Sequence, residues 1–222
     1  MKSGTSISSS VTSSSNEIRR RGDAIVGTSN HQGLALIVKP FQYSDFSSLI
    51  SHTTRKSEGG VGQPKIILGL DGITDPHNLG AIVRSADGAG VYGCILPSKY
   101  SAPITPVAIK ASAGALESMP IAKVPRVSET LKHCKQHGWN IVGTAVPATA
   151  RYTDLVYSGP TIIVIGSEGE GLHPSVKAQC DVLVEIPMHG AVASLNASVA
   201  AGIVLFQARA QRLSLQHSQH TT

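Results

Sequence analysis

The sequence is poor in aromatic residues, 4% of 222 positions, which argues against a base-stacking platform as its main binding device. It has three cysteines, Cys94, Cys134 and Cys180, widely spaced and odd in number. No C-x-x-C occurs, so neither a disulfide framework nor a thiolate zinc site is supported, and a reducing compartment, the cytoplasm, is the simpler expectation. No apolar run approaches the roughly 18–20 residues of a membrane-spanning helix. No membrane partner is therefore expected, and the first residues carry no hydrophobic signal core, so nothing argues for secretion. Acidic residues are outnumbered by basic ones, 14 to 19, for a formal net charge of +5 and a pI of about 9.2. That balance is compatible with an acidic partner such as nucleic acid without demanding one. Hydrophobic residues make up 41% of the chain, enough for a core.

What is present is unevenly distributed. Residues 1–30 are dominated by Ser, Thr, Gly and Asn, with one basic cluster at Arg19-Arg20-Arg21. They cannot bury enough apolar surface to offset ordering, so a flexible tail is expected. A strand is expected over Leu34–Val38 and a short helix over 41–50; Ser51–Pro64 is polar and glycine-rich and reads as a linker. From Lys65 the runs Ile66–Leu70, Val91–Leu96, Asn140–Thr144, Thr161–Ile165 and Leu183–Ile186 are short, apolar and rich in β-branched residues. Helical patterns lie between or after them: Leu79–Gly88, Pro106–Ala115, Val127–His137, Pro174–Gln179 and Ser194–Arg212. Strands alternating with helices imply an α/β fold, a parallel sheet covered on both faces. Residues 215–222 are left as a second tail.

Three stretches carry chemistry. In the first, the run ending at Leu70 is followed by the polar Asp71-Gly-Ile-Thr-Asp-Pro-His-Asn78 and then by a helix. Leu79, Ile82, Val83 and Ala86 share one face of that helix, while Arg84 points away from it. In the second, Thr161–Ile165 runs into Gly166-Ser-Glu-Gly-Glu-Gly171. The order G-x-x-G-x-G differs from the dinucleotide fingerprint, and Glu168 and Glu170 would repel a pyrophosphate. A neutral or cationic ligand suits those carboxylates better. The third, Glu185-Ile-Pro-Met-His-Gly-Ala-Val-Ala-Ser194, leads into a helix for which Ser194 is the expected N-cap. That helix is apolar almost all round, with Leu195, Val199, Gly202, Leu205 and Phe206 on one side and Ala197, Ala200, Ala201, Val204 and Ala208 on the other. A helix without a polar face is normally buried on both sides, and a subunit interface would bury the second. His77, His173 and His189 lie one to a stretch, but without a carboxylate at a recognisable spacing they do not define a metal site. No G-x-S-x-G elbow follows a strand, which removes the serine-hydrolase reading.

Together, Pro76-His-Asn-Leu-Gly-Ala-Ile-Val-Arg-Ser-Ala86, Ile165-Gly-Ser-Glu-Gly-Glu-Gly-Leu172 and Ile186-Pro-Met-His-Gly-Ala-Val-Ala-Ser-Leu-Asn-Ala-Ser198 resemble motifs 1, 2 and 3 of the SpoU/TrmH branch of the SPOUT RNA methyltransferases, in order and at about the family spacing. Ala111-Ser-Ala-Gly-Ala-Leu-Glu-Ser-Met-Pro120 is similar to the family's segment between motifs 1 and 2. His31-Gln-Gly33 and Cys180–Met188 look like the subgroup that methylates the 2′-oxygen of a guanosine in 23S ribosomal RNA. The resemblance implies a SPOUT-type parallel sheet whose C-terminal part forms a deep trefoil knot, over a methyltransferase domain spanning 65–214. It implies a homodimer packed through the last helix and RNA, of the large subunit, as partner. It implies S-adenosyl-L-methionine as cosubstrate, with no metal, reached by Gly166, Ile186 and Leu195 with Thr144 and Met188 nearby. Arg84 and Asn78 match the catalytic positions of motif 1. The expected role of Arg84 is to orient the adjacent phosphate and stabilise the developing alkoxide. Glu168, Ser194 and Asn196 match the remaining polar positions. Relatives carry a separate N-terminal RNA-recognition domain similar to a ribosomal L30-type fold, of which residues 31–64 would be a remnant plus linker. The alternatives are a tRNA ribose methyltransferase of the same branch, and a non-catalytic RNA-binding or ribosome-assembly protein that keeps the cosubstrate pocket.

Overall fold

Five consecutive buried residues, Ile66–Leu70, form strand β3, an interior strand of the sheet. The computed structural model describes residues 40–51, 54–57 and 60–219, together with Ala24. The expected tail over 1–30 and strand over Leu34–Val38 lie outside the described residues, apart from Ala24. The chain divides into two compact units, Met1–Phe41 and Gln42–Thr222; the sheet and all the helices that cover it belong to the second.

Helix α1, Phe46–Ile50, begins later than expected, because Asp45 caps it by accepting the Ser48 N–H at 2.9 Å. The stretch read as a linker instead pairs with itself: β1, Thr54–Ser57, and β2, Gly60–Pro64, form an antiparallel hairpin. Thr-Arg-Lys-Ser and Gly-Val-Gly-Gln-Pro offer almost no apolar residues, so no alternation marked the hairpin in the sequence. The main sheet contains β3, β4 (Gly93–Pro97), β5 (Ile121–Val124), β6 (Asn140–Thr144), β7 (Ala150–Arg151), β8 (Thr161–Ile165) and β9 (Val182–Glu185). Its order is β5-β4-β3-β8-β6-β9-β7, and every pairing is parallel. β8, late in the chain, thus lies between β3 and β6. Strands β3, β4 and β8 are buried throughout, as a sheet covered on both faces requires.

One face of the sheet is sealed by α1 and by α5, Val127–Gln136, and α6, Pro174–Lys177. Leu49, Val127, Leu131, Cys134 and Val176 join Ile67, Ile95, Ile141, Ile162 and Val164 in one core cluster. On the other face lie α2, Pro76–Gly88, and α7, Ala197–Gln219, which pack on each other; α7 also meets β8. α3, Pro106–Ser112, crosses α2 so closely that a Cβ on Gly80 would sit 2.3 Å from the Ala108 carbonyl oxygen. The single helix expected over Pro106–Ala115 is broken. Ala113 and Gly114 take φ values of 50° and 95°, and α4, Ala115–Ser118, starts afresh. α7 is anchored by Arg212, 7% exposed, which donates to the carbonyls of Tyr157 and Gly159 and to the Thr161 hydroxyl. Burial pulls its guanidinium pKa down to about 10. The helix runs on to Gln219, past the expected end at Arg212. Among the described residues no helix is long and apolar enough to cross a membrane.

Candidate active site

All seven strands are parallel, so the loops after β3, β6, β8 and β9 leave the same edge of the sheet. In open α/β sheets that edge is where ligands bind, beside the point where strand order reverses. Here the reversal lies at β3, whose neighbours are β4, next in sequence, and β8.

The loop after β8 is closed on itself. Ser167 N–H donates to the Gly171 carbonyl and Gly171 N–H to the Ser167 carbonyl, both at 3.0 Å. This folds residues 167–171 back over Gly166, where a Cβ would lie 2.2 Å from the Gly171 carbonyl carbon. Gly166 is therefore glycine for steric reasons as well as for lining a cavity. Gly169 and Gly171, at φ +87° and +70°, hold left-handed conformations that glycine adopts without strain. The loop is tied to the first stretch by the His173 N–H, which donates to Asp71 Oδ2 at 2.7 Å.

The loops surround a cavity of about 340 Å³. Gly166, Ile186, Leu195, Thr144 and Met188, the five residues expected at the cosubstrate, all line it, as do Glu168 and Ser194. Thr144 turns its hydroxyl into the sheet, donating to the Val164 carbonyl at 3.2 Å. It therefore presents apolar surface and backbone to the cavity. Sequence reasoning missed Glu185 and Lys177 as lining residues: Glu185 opens the third stretch without a role of its own there, Lys177 belongs to no motif, and only the fold brings both here. Of the charged residues on the wall, three are acidic, Glu168, Glu170 and Glu185, and one is basic, Lys177.

At the cavity's edge three of the expected catalytic residues meet. Asn78 Nδ2 donates to Glu168 Oε1 at 3.1 Å, Asn196 Nδ2 donates to Asn78 Oδ1 at 3.0 Å and to the same Glu168 oxygen, and the Ala197 N–H adds a further bond to Glu168 Oε1 at 3.0 Å. The carboxylate thus sits at the N-terminus of α7, where the helix dipole and an otherwise unpaired N–H favour a negative charge. Asp75 caps α2, accepting the N–H groups of His77 at 3.0 Å and Asn78 at 3.3 Å, so the Asn78 amide is left for this network. Ser194 is not the cap of α7. The helix starts at Ala197, and Asn196 Oδ1 accepts the Ser198 N–H at 2.9 Å. Ser194 remains exposed on the cavity wall.

Arg84 lies apart from this group. It is six residues beyond Asn78 on α2, hence roughly 120° around the helix and about 9 Å along it. Its side chain is exposed and makes no hydrogen bond or ion pair among the described residues. A turn further on, a Cβ on Gly88 would lie 3.4 Å from Phe206 of α7. Phe206 belongs to a stripe of exposed apolar residues spaced by seven: Val199, Phe206 and Leu213 are 49%, 51% and 40% exposed. Within one chain α7 is therefore covered on one side only, and its second side is left for a partner to bury. Ala197, Ala201, Val204, Leu205 and Ala208 are buried against α2 and the sheet, and the opposite stripe is open. His77, His173 and His189 form no group with other ligand types, and among the described residues no cluster of three His, Cys, Asp or Glu could hold a metal ion. His173 instead caps α6, its Nδ1 accepting the Ser175 N–H at 3.2 Å.

Comparison with known proteins agrees with this geometry. The SpoU rRNA Methylase family matches residues 65–206. The 23S rRNA (guanosine-2′-O-)-methyltransferase RlmB of Vibrio vulnificus is 42% identical over 187 residues, 84% of this chain and 73% of that protein. An uncharacterized tRNA/rRNA methyltransferase of Mycobacterium sp. (strain KMS) is 41% identical over 192 residues, 86% of this chain and 60% of that protein. Among solved structures, the SpoU methyltransferase AviRb of Streptomyces viridochromogenes in complex with AdoMet superposes with a TM-score of 0.63 at 34% identity, covering 70% of this chain and 60% of that one. With all of its seven-stranded sheet, its acidic cavity and its Asn78–Glu168–Asn196 network inside the matched span, the chain belongs to the SpoU rRNA methylase family of RNA methyltransferases.

Proposed function

We propose that the chain transfers the methyl group of S-adenosyl-L-methionine to the 2′-oxygen of a ribose in RNA, a guanosine of 23S rRNA, in the cytoplasm. The observation that carries this reading is the network of Asn78, Glu168 and Asn196 at the edge of a cavity whose wall is three-quarters acidic in its charged residues. The residues fit the cosubstrate. Carboxylates suit a sulfonium and an ammonium, backbone at Gly166 and Ile186 on the cavity wall can bond an adenine edge, and the Leu195 side chain can cover its face. When bound, S-adenosyl-L-methionine supplies an electrophilic methyl group on a positively charged sulfur.

The protein's task is the nucleophile. A ribose hydroxyl attacks only as its proton leaves, so oxyanion stabilisation must be at hand. Arginine stays protonated at neutral pH; Arg84 therefore acts as a donor, bonding the phosphate beside the target ribose and the developing alkoxide, with the phosphate taking the proton. Ser194 bonds the ribose. Glu168 fixes Asn78 and Asn196, and with them the start of α7 against α2.

A homodimer is part of this proposal. The Val199–Phe206–Leu213 stripe is an apolar face that a second copy would cover, and Gly88, one turn beyond Arg84 on α2, lies against its Phe206. Pairing along α7 would bring an Arg84 toward a cavity that it does not line within its own chain. A trefoil knot is also part of it, supported by a late strand, β8, lying between β3 and β6. The methyltransferase domain is taken as 65–214, with 31–64 derived from an N-terminal RNA-recognition domain.

The test is single-turnover methyl transfer from radiolabelled cosubstrate to 23S rRNA and to tRNA, with nucleoside analysis by mass spectrometry. Label in 2′-O-methylguanosine from 23S rRNA supports the proposal. Label confined to tRNA favours the tRNA enzyme of the same branch. No label in either, with cosubstrate binding intact, favours the non-catalytic reading.

A further inference from the structure

We propose that the ammonium of Lys177 binds the α-carboxylate of the cosubstrate and so fixes which way round it lies in the cavity. This rests on the reading of the cavity as the S-adenosyl-L-methionine site. Lys177 is the last residue of α6, half-buried, and it lines the cavity. Its ammonium makes no hydrogen bond or ion pair among the described residues. Lys99, Lys110 and Lys132 also lack a side-chain partner among the described residues but are exposed, whereas other lysines find one. Lys135 pairs with Asp181 at 2.6 Å, Lys65 lies over the Tyr92 ring at 3.6 Å, and Lys123 over the Tyr43 ring at 4.4 Å. A partly desolvated ammonium gains by pairing. Lys177 nevertheless engages none of Glu168, Glu170 and Glu185 around the same cavity.

The charges of the cosubstrate resolve this. It carries two cations, the sulfonium and the α-ammonium, and one anion, the α-carboxylate. The wall carries three carboxylates and one ammonium. Pairing opposite signs leaves the ligand's one anion for Lys177. Glu168 is held at the start of α7 by Asn78, Asn196 and the Ala197 N–H, so the sulfonium, which must face the ribose, belongs on the Glu168 side. The carboxylate then points toward α6. The adenosine portion is uncharged, and Lys177 should not discriminate for or against it.

A selective loss is therefore expected. Calorimetric titration of the full chain would compare S-adenosyl-L-methionine, S-adenosyl-L-homocysteine and 5′-deoxy-5′-methylthioadenosine, which keeps the adenosine and thioether but lacks the amino acid. Lys177→Gln should weaken the first two by about 10-fold and the third by less than about 2-fold, the loss expected of one charge-assisted contact. Lys177→Arg should recover most of the affinity. Equal weakening of all three ligands would mean a merely structural role and overturn the proposal. So would unchanged affinity for S-adenosyl-L-methionine with weakened binding of rRNA, which would assign Lys177 to a phosphate. Failure of the unsubstituted chain to bind either amino-acid-bearing ligand would instead refute the cosubstrate reading itself, and with it this one.

Discussion

Gly166→Ala is the perturbation whose outcome the structure constrains most tightly. The added Cβ would meet the Gly171 carbonyl carbon at 2.2 Å, its oxygen at 2.5 Å and the Leu172 nitrogen at 2.5 Å. All three are backbone atoms, so no side chain can rotate away and the 167–171 loop must lift. Overpacking of this kind costs roughly 1–3 kcal/mol. Lifting the loop also strains the two 3.0 Å bonds between Ser167 and Gly171, each worth about 1 kcal/mol. The combined cost of about 3–5 kcal/mol falls on a loop that forms the cavity wall, so it should emerge mainly as lost binding. At about 1.4 kcal/mol per tenfold, that is a loss of roughly 100-fold or more in affinity for S-adenosyl-L-methionine. Gly169→Ala is the matched control. Its φ of +87° imposes strain, but nothing lies within 4 Å of the added methyl. A left-handed alanine costs about 1–2 kcal/mol, so affinity should fall by no more than roughly 5- to 30-fold. Calorimetry measures both variants, with circular dichroism melts to confirm folding. If Gly166→Ala binds the cosubstrate as well as Gly169→Ala does, the steric account of this loop is wrong.

Three further outcomes are expected. Arg84→Ala should leave the melting temperature nearly unchanged, because an exposed and unpaired surface residue contributes within about 0.5 kcal/mol, yet reduce single-turnover methylation by roughly 100-fold or more, as loss of one charge-stabilising donor does; a rate within a factor of a few of the parent removes Arg84 from the chemistry. Glu168→Ala removes the acceptor shared by Asn78, Asn196 and Ala197; methylation should fall by about 100-fold through misplacement of the two amides, while an unchanged rate would make the network only a helix cap. Stability should also fall at alkaline pH. Burial raises the thiol pKa of Cys94, and that of Cys134 to about 12, both from 9.0. A raised native pKa contributes stability that is intact below about 9 and lost as pH climbs toward the native value, on the order of 1 kcal/mol per thiol by about pH 10. Urea unfolding at about pH 8 and about pH 10 measures the drop, which Cys94→Ala with Cys134→Ala should reduce.

Much of this fold could be read from composition along the chain. β3 and β8 are continuous apolar runs because both faces of the sheet are covered, and β4 and β6 come close for the same reason, so their residues could hardly be polar. β5, β7 and the β1–β2 hairpin escaped. The first two are four and two residues long, and the hairpin pairs through backbone without an apolar face. The site divides likewise. Asn78, Glu168 and Asn196 stood out through their motifs, but that they share hydrogen bonds across sequence separations of 90, 118 and 28 residues is a product of strand order. Lys177 had no motif and became visible only as the one cation on the cavity wall. Ser194 is a plausible cap by residue type alone, but the helix begins only at Ala197, and that start hands the capping role to Asn196.

The central claim is a methyl group placed on a specific ribose. Its most direct test is mass-spectrometric mapping of ribose methylation in total RNA from cells with the gene, without it, and complemented with the Arg84→Ala form. The expected result is one 2′-O-methylguanosine of 23S rRNA lost without the gene, restored by the parent protein and not by Arg84→Ala. An unchanged 23S rRNA methylation pattern in the absence of the gene would contradict it.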